Sequence, residues 1–357
     1  MKIITYYLWK TLLSTILLSM FLVFGIELIF SLVNDIRLVG KGDYTVWHML
    51  MFNLLSMPQT LYQMFPMAAL VGTLMGLGVL ANHSELIVIR SAGISIKQII
   101  WMVLKLSLIL AVFAWILGEW IAPVTDKIVQ NQKALILSGG QTLKTEHGVW
   151  LRDDNRFVNV QSVDVGGHLQ GITCYEFDSN FALRQASKAS YADYIMDHWV
   201  LYDVEVTSLS EESLQTQYYS QMDWYSKIEP NILRIVGTKY LEELSLVGLW
   251  QTMHYRKQND LDYRPYQLAF YQKILQPFSI MIMMFLAVPF VFGPLRSATQ
   301  GLKLVIGMVI GFLFHTVNDL FGPLTLVYQI HPIIGACLPA FLFLALGFYA
   351  LKRWQRI

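Results

Sequence analysis

The sequence predicts an α-helical membrane protein of six spans, arranged three and three, with an all-β domain of jelly-roll-like size inserted between the halves. Two observations carry the membrane part. The 357 residues are 55% hydrophobic and only 14% charged, with mean hydropathy +0.46, which is too apolar for a soluble globular chain. The apolar residues also fall into runs long enough to cross a bilayer, about 20 residues each. A third observation carries the insert: from about residue 138 to 240 those runs give way to short alternating stretches separated by turn residues. The expected domains are therefore 1–137, 138–240 and 241–357. Net charge is +1, so nothing pulls the chain globally toward nucleic acid.

In the first half, Thr11–Val33 carries one charge, Glu27, and reads as a retained anchor without a cleavage site. Asn34–Tyr44, with Arg37 and Lys41, follows as an outer loop. Val46–Ala81 has no charged residue, and Pro58 and Pro66 divide it into an interfacial entry and a span near Leu61–Ala81. Gly72, Gly76 and Gly78 give that span a small-residue face for a close neighbour.

Asn82–Lys97 reads as a short helix between two spans. Ser84 is the expected N-cap, Glu85 lies in the first turn where the helix dipole favours an acid, and Gly93 stops the helix. Leu86, Ile87, Ile89 and Ile94 supply its apolar side. From the residues alone, a docking helix and a self-contained hairpin loop stay equally open. Ile99–Ala122 then spans outward, with Glu119 and Trp120 near the outer interface and Pro123 ending the regular span. Asp126–Ala134, with Lys127 and Lys133, continues as a helical extension.

The insert begins at Ser138-Gly139-Gly140. Its expected strands are Gly148–Arg152, Arg156–Val160, Ile172–Phe177, Ser190–Ile195, Trp199–Thr207 and Gln217–Tyr225. Asp154-Asn155, Gly166-Gly167 and Asp178-Ser179-Asn180 are the turns. Such spacing describes an antiparallel domain the size of a sandwich or jelly roll, and leaves its strand order open.

Leu241–Lys257 has a helical period and leads back to the membrane. Ile274–Phe292 spans inward, Leu304–Leu320 outward with Gly307 and Gly311 spaced for packing, and Pro332–Leu351 inward. The segment Phe321–Gln329 reads as an outer turn. Ile306, Ile310 and Phe314 repeat at i, i+4, i+8, a spacing that suits a cavity wall and a helix contact equally. Glu27 is costly in a span unless it faces a cavity or a partner, and Phe30 lies a turn away. His315 and Asp319 read either as a gating or relay pair or as hydrated side chains, and their place near the outer interface favours hydration. Lys2, Lys10, Arg90, Lys97, Arg296, Lys303, Lys352, Arg353 and Arg356 fall at inner positions, against Arg37 and Lys41 in a short outer loop. By the positive-inside rule both termini are cytoplasmic.

No Gly-x-x-x-x-Gly-Lys-Ser/Thr, His-Glu-x-x-His or Gly-x-Ser-x-Gly stretch occurs, and the eight histidines lack ligand spacing. Cys174 and Cys337 form no disulfide framework. The chain is thus expected to hold no catalytic centre, metal or cofactor, and any energy-driven function needs a partner.

Seven stretches together carry a resemblance over the whole chain. They are Phe65-Pro-Met-Ala-Ala-Leu, Gly76-Leu-Gly, Ser84-Glu-Leu-Ile-Val and Gly118-Glu-Trp-Ile-Ala-Pro in the first half, and Phe292-Gly-Pro-Leu-Arg-Ser, Phe321-Gly-Pro-Leu-Thr-Leu-Val-Tyr and His331-Pro-Ile-Ile-Gly-Ala in the second. With them the sequence resembles the permease family of the lipopolysaccharide export ABC transporter, the LptF/LptG family, and its G branch more than its F branch. The resemblance implies a six-span permease of the Gram-negative inner membrane, paired with an LptF-like paralogue around a cavity. Two LptB-like ATPase subunits would use ATP and magnesium to drive it. The β domain would be a periplasmic jelly roll continued by LptC-like and LptA-like jelly rolls toward the outer membrane. Lipopolysaccharide would enter from the outer leaflet through gates lined by the first and fifth spans.

The family's coupling helix corresponds to Ser84–Gly93, which makes Glu85 and Arg90 the expected ATPase contacts, with Leu86 and Ile89 on the same helix. Arg37 and Lys41 become candidates for the lipid phosphates, as does Lys133. Where close relatives carry an earlier lysine, this chain has Ser31. Glu27, Phe30, Ile306, Ile310 and Phe314 are the cavity candidates. Two other readings stand beside transport: a membrane scaffold displaying a β domain, and a lipoprotein-releasing permease.

Overall fold

The computed structural model describes residues 2–137, 144–153, 155–163, 168–178, 182–195, 197–210, 213–226, 241, 244–293, 295 and 298–354. The boundary at Ser138-Gly139-Gly140, the turns at Gly166-Gly167 and Ser179-Asn180, and Asp154, Arg296 and Arg356 lie outside them. The chain divides into two compact units. One comprises Met1–Val39, Val46–Val129 and Arg264–Ile357; the other comprises Gly40–Thr45 and Gln130–Tyr263.

The first unit is helical, and six of its segments are long and apolar enough to cross a membrane: Lys2–Leu38, Met57–Asn82, Ile96–Gln130, Arg264–Phe292, Gln300–Val327 and Pro332–Arg353. Its first-half helices are α1 (Lys2–Asp35), α2 (Val46–Leu55), α3 (Met57–Asn82), α4 (Glu85–Ser91) and α5 (Ile96–Ile116). A π-turn at Leu117–Ile121 joins α5 to α6 (Ala122–Leu137).

Helix α3 is the post of this unit. In its most apolar 18-residue stretch 72% of the residues are buried, against 22% and 17% in those of the first and fifth spans. Glycine makes that possible. A Cβ at Gly72 would stand 2.4 Å from the Ile16 Cα of α1, and one at Gly76 2.6 Å from Thr15 Oγ1. Across this close crossing Thr15 Oγ1 donates to the Gly72 carbonyl at 2.8 Å and Ser19 Oγ to the Ala68 carbonyl at 2.6 Å. Such bonds matter in lipid, where no hydrophobic force draws one apolar helix to another.

The second-half membrane helices are α8 (Arg264–Phe292), α9 (Gln300–Val327) and α10 (Pro332–Trp354). Helix α9 seats Gly307 on Leu74 and Val71 of α3, and Gly311 on Met67. Gly347 of α10 lies against Phe285 of α8, whose ring also meets Phe348 at 5.1 Å.

Two expected chain breaks are helical. The helix runs through Pro123 because the π-turn before it shifts the bonding, with Ala122 N–H donating to the Leu117 carbonyl. The expected turn at Phe321–Gln329 is helical to Val327, with Pro323 inside it. Packing overrides the Gly-Pro signal there: Gly322 sits against Leu268 and Gln272, and Gly335 against Thr325.

Among the described residues the second unit holds six strands, β1 (Lys144–Asp153), β2 (Arg156–Val163), β3 (Leu169–Phe177), β4 (Leu183–Ile195), β5 (His198–Ser210) and β6 (Ser213–Trp224). They form one antiparallel sheet in chain order, so the strand order left open by the sequence is a meander. Helix α7 (Leu246–Gln258), capped by Ser245, belongs to this unit. Its Tyr255 is 4% exposed, and the hydroxyl donates to the Arg152 carbonyl at 2.8 Å. Burial, then nearby Asp153, pushes that hydroxyl up to about 12, so it stays a donor at neutral pH.

One row of residues, Gly171, Ser190, Asp203 and Ser220, interrupts the ladders between β3 and β6. Gly171 and Asp203 have φ of +63° and +52°. The buried face changes phase at this row: Trp199 and Leu201 are buried before it on β5, Val204 and Val206 after it.

Gly72→Leu should therefore force α1 off α3, at a cost of roughly 1–3 kcal/mol or more, typical of overpacking. Thermal unfolding in detergent checks this against Gly25→Ala, whose Cβ would meet nothing within 4 Å and which should unfold like the parent.

Candidate functional site

The short helix α4 forms where expected but is built differently. Ser84 has φ +59° and makes no side-chain capping bond. Its carbonyl instead accepts from Ile87 N and Val88 N at 3.0 and 3.2 Å, because the chain must reverse between α3 and α4 within His83 and Ser84. The side-chain capping box lies one segment later: Ser95 N donates to Gln98 Oε1 at 2.8 Å, and Gln98 N to Ser95 Oγ at 3.3 Å, opening α5. Ser95-x-x-Gln98 is the sequence signature of that box. Gly93 does close α4, at φ +89°, with Ile94 N donating to the Ile89 carbonyl.

Burial sorts the α4 residues. Leu86 is 3% exposed and Ile94 7%, both inside the helical core, with Ile89 packed against it. Leu86 is therefore spent within this chain, contrary to its expected place among the contact residues. The outward apolar pair is Ile87 and Val88, at 53% and 64% exposure, beside exposed Arg90 and Ser91. Glu85 is half-buried and 3.8 Å from His83 Nδ1.

The outer basic candidates separate into two units. Arg37 is exposed on a one-turn 3-10 helix, Ile36–Leu38, at the end of the first span. In the second unit Lys41 is exposed on the loop 40–45, which is pinned to the end of α6: Asp43 N donates to the Ile136 carbonyl, and a Cβ at Gly42 would meet that carbonyl at 2.5 Å. Lys133 of α6 stands over the Tyr44 ring at 5.8 Å, so Lys41 and Lys133 belong to one small construction. Ser31 donates to Asn53 of α2, whose amide donates to Asp35 at 3.1 Å.

Among the cavity candidates, Phe314 is 6% exposed and meets Phe343 of α10 edge-on at 5.2 Å. Ile306 and Ile310 are packed against the same core. Within this chain Phe314 thus serves a helix contact, while Ile306 and Ile310 are covered only in part. Glu27 is half-buried and Phe30 is 62% exposed. His315 and Asp319 form a half-exposed i,i+4 pair at 3.5 Å.

Sequence reasoning missed one charged cluster. Lys273 of α8, 6% exposed, lies 3.8 Å from Glu119, which the π-turn presents at 10% side-chain exposure. Tyr62 packs flat on Gly118, stands 6.0 Å under the lysine and donates to the Lys273 carbonyl at 3.4 Å. Asp126, 5% exposed and within the electrostatic reach of Lys273, completes the set. Lys273 and Glu119 border two apolar runs near the same interface, and that shared depth was the available signal. Among the described residues no group of three or more His, Cys, Asp or Glu side chains is placed to hold a metal.

Six apolar helices with a short exposed helix between the second and third spans, and a sheet inserted between the third and fourth, define a polytopic membrane permease architecture. Residues 6–353 match the family described as lipopolysaccharide export system permease LptF/LptG. The chain belongs to that family and is a multi-pass inner-membrane permease subunit of the lipopolysaccharide export system. It is 36% identical over 350 residues to the lipopolysaccharide export system permease protein LptG of Escherichia coli K12, covering 97% of each chain. It is also 36% identical over 349 residues to the protein of that name from Haemophilus influenzae, again covering 97% of each. These relatives do not favour a scaffold or a lipoprotein-releasing permease.

The Glu119–Lys273 pair makes a sharp prediction. Lys273→Met leaves two buried carboxylates without their cation and should lower thermal stability by about 3–5 kcal/mol. Lys273→Met with Glu119→Gln should recover most of that loss. Purely additive losses would show that the pair is not coupled.

Proposed function

We propose that this chain takes lipopolysaccharide from the outer leaflet of the inner membrane and passes it to a periplasmic bridge of β-jelly-roll proteins. The observation that carries the energy-input half is the surface of α4: Ile87 and Val88 stand outward beside Arg90, on a helix between two spans. Burying two such aliphatic side chains in a partner is worth about 1.5–3 kcal/mol each, enough to hold a reversible contact. The partner is a cytoplasmic ATPase of the LptB type, two copies serving this chain and an LptF-like paralogue. ATP binding closes the ATPase pair, moves the two coupling helices together and collapses the cavity between the permease chains. This chain contributes no ATPase site and no cofactor; ATP and magnesium act in the partner.

The termini and α4 lie on the cytoplasmic side, and the sheet lies in the periplasm, where LptC-like and LptA-like proteins extend it. Arg37, Lys41 and Lys133 meet the anionic phosphates of the lipid at the outer interface, where a cation near anionic head groups gains about 1 kcal/mol. Glu27 and Phe30 face the cavity shared with the paralogue.

Val88→Asp with Arg90→Glu should abolish co-purification of the ATPase while the paralogue stays bound. Retained ATPase and parental lipopolysaccharide release would refute the α4 assignment. Arg37→Glu with Lys41→Glu should weaken photocrosslinking to lipopolysaccharide in the same complex; unchanged crosslinking removes these residues from the head-group site.

A further inference from the structure

Lys303 reads from sequence as an inner-loop cation, yet it has no exposed surface and is among the largest fully buried side chains. It lies one turn into α9, after the cap that Thr299 Oγ1 makes on Leu302 N. Its Nζ donates to Asn82 Oδ1 at 3.0 Å and lies 3.5 Å from the Gly78 carbonyl. Both acceptors lie at the C-terminal end of α3, where the helix dipole favours a cation. The lysine stem crosses α3 at Gly78, where a Cβ would come within 2.6 Å of its Cδ. No described carboxylate pairs with the ammonium.

A charge on neutral oxygens is a poor way to fill a core, since burial disfavours it and an aliphatic side chain would pack as well. What the ammonium adds is direction. Asn82 ends α3, only His83 and Ser84 separate it from α4, and both backbone amides of that turn are bonded, His83 N to the Val79 carbonyl and Ser84 N to the Ala81 carbonyl. Lys303, Gly307 and Gly311 lie on one face of α9, and the latter two touch α3 only through Val71, Leu74 and Met67 within the closest contacts. The polar tie therefore sits at the end of the α3–α9 seam nearest α4.

We propose that Lys303 is a positioning residue of transport: by holding Asn82 it makes the fifth span move with α4. A displacement of α4 then reaches α9 instead of being absorbed in the His83–Ser84 turn. The proposal rests on the reading of α4 as the ATPase contact.

The test uses the full complex of this chain, its paralogue and the ATPase in proteoliposomes, with ATP hydrolysis and lipopolysaccharide release measured together. Lys303→Met should assemble and unfold at or above the parental temperature, with basal hydrolysis unchanged. Release per ATP should fall roughly five- to tenfold, the scale of a lost coupling contact. Asn82→Leu should do the same, the double variant should lose no more than either, and Asn82→Asp should retain release. Unchanged release per ATP in Lys303→Met overturns the proposal. So does failure of both Lys303→Met and Asn82→Leu to assemble, which would make the lysine a packing residue. If Val88→Asp with Arg90→Glu leaves release intact, the α4 reading itself falls; if that variant abolishes release while Lys303→Met preserves it per ATP, only the role of Lys303 falls.

Discussion

The membrane unit depends on how closely α3 lets its neighbours approach. Lipid tails solvate leucine as well as another helix does, so association in the membrane comes from backbone-distance contact and from hydroxyl–carbonyl bonds. Gly72 and Gly76 open α3 to α1, and Gly78 opens it to the stem of Lys303. On α9, Gly307 and Gly311 do the same from the other side. Because α1 and α9 both lean on α3 and are the least buried spans, each carries a broad apolar flank that the described residues do not cover, with Leu17 and Phe21 on one and Val309 and Phe312 on the other. These flanks are the broadest apolar surfaces of the first and fifth spans.

Much of this was legible because span length and charge placement are strong, local signals. All six spans and all six strands fall where composition and alternation put them. The strands were read short for a physical reason. At the row through Gly171, Ser190, Asp203 and Ser220 the inward face changes phase, so a period-two pattern fits only one side of each strand. Ile172–Phe177 and Ser190–Ile195 were recognised on opposite sides of that row. Pro123 and Pro323 misled because a π-turn and close helix packing absorb them.

The charged contacts were the least legible. Glu119 and Lys273 lie in different halves of the sequence, and nothing local pairs them; only the fold places α5, the π-turn and α8 side by side. Lys303 looked like an ordinary flanking cation because its distance from the end of an apolar run says nothing about what covers it. Leu86 and Ile87 could not be told apart by hydrophobicity, although one is buried and the other faces outward. In each case the missing information was tertiary.

The proposed division of labour places α4 on the inner side of the membrane and the sheet on the outer side, with a single span, Ile96–Gln130, between them. Thiol labelling tests this most directly. With Cys174 and Cys337 replaced by alanine, Ser91→Cys and Ser220→Cys each introduce one thiol at an exposed position. In cells whose outer membrane alone is permeabilised, an impermeant maleimide should label Ser220→Cys at once and Ser91→Cys only after the inner membrane is opened. Labelling of both positions in cells with an intact inner membrane, or of neither, would contradict it.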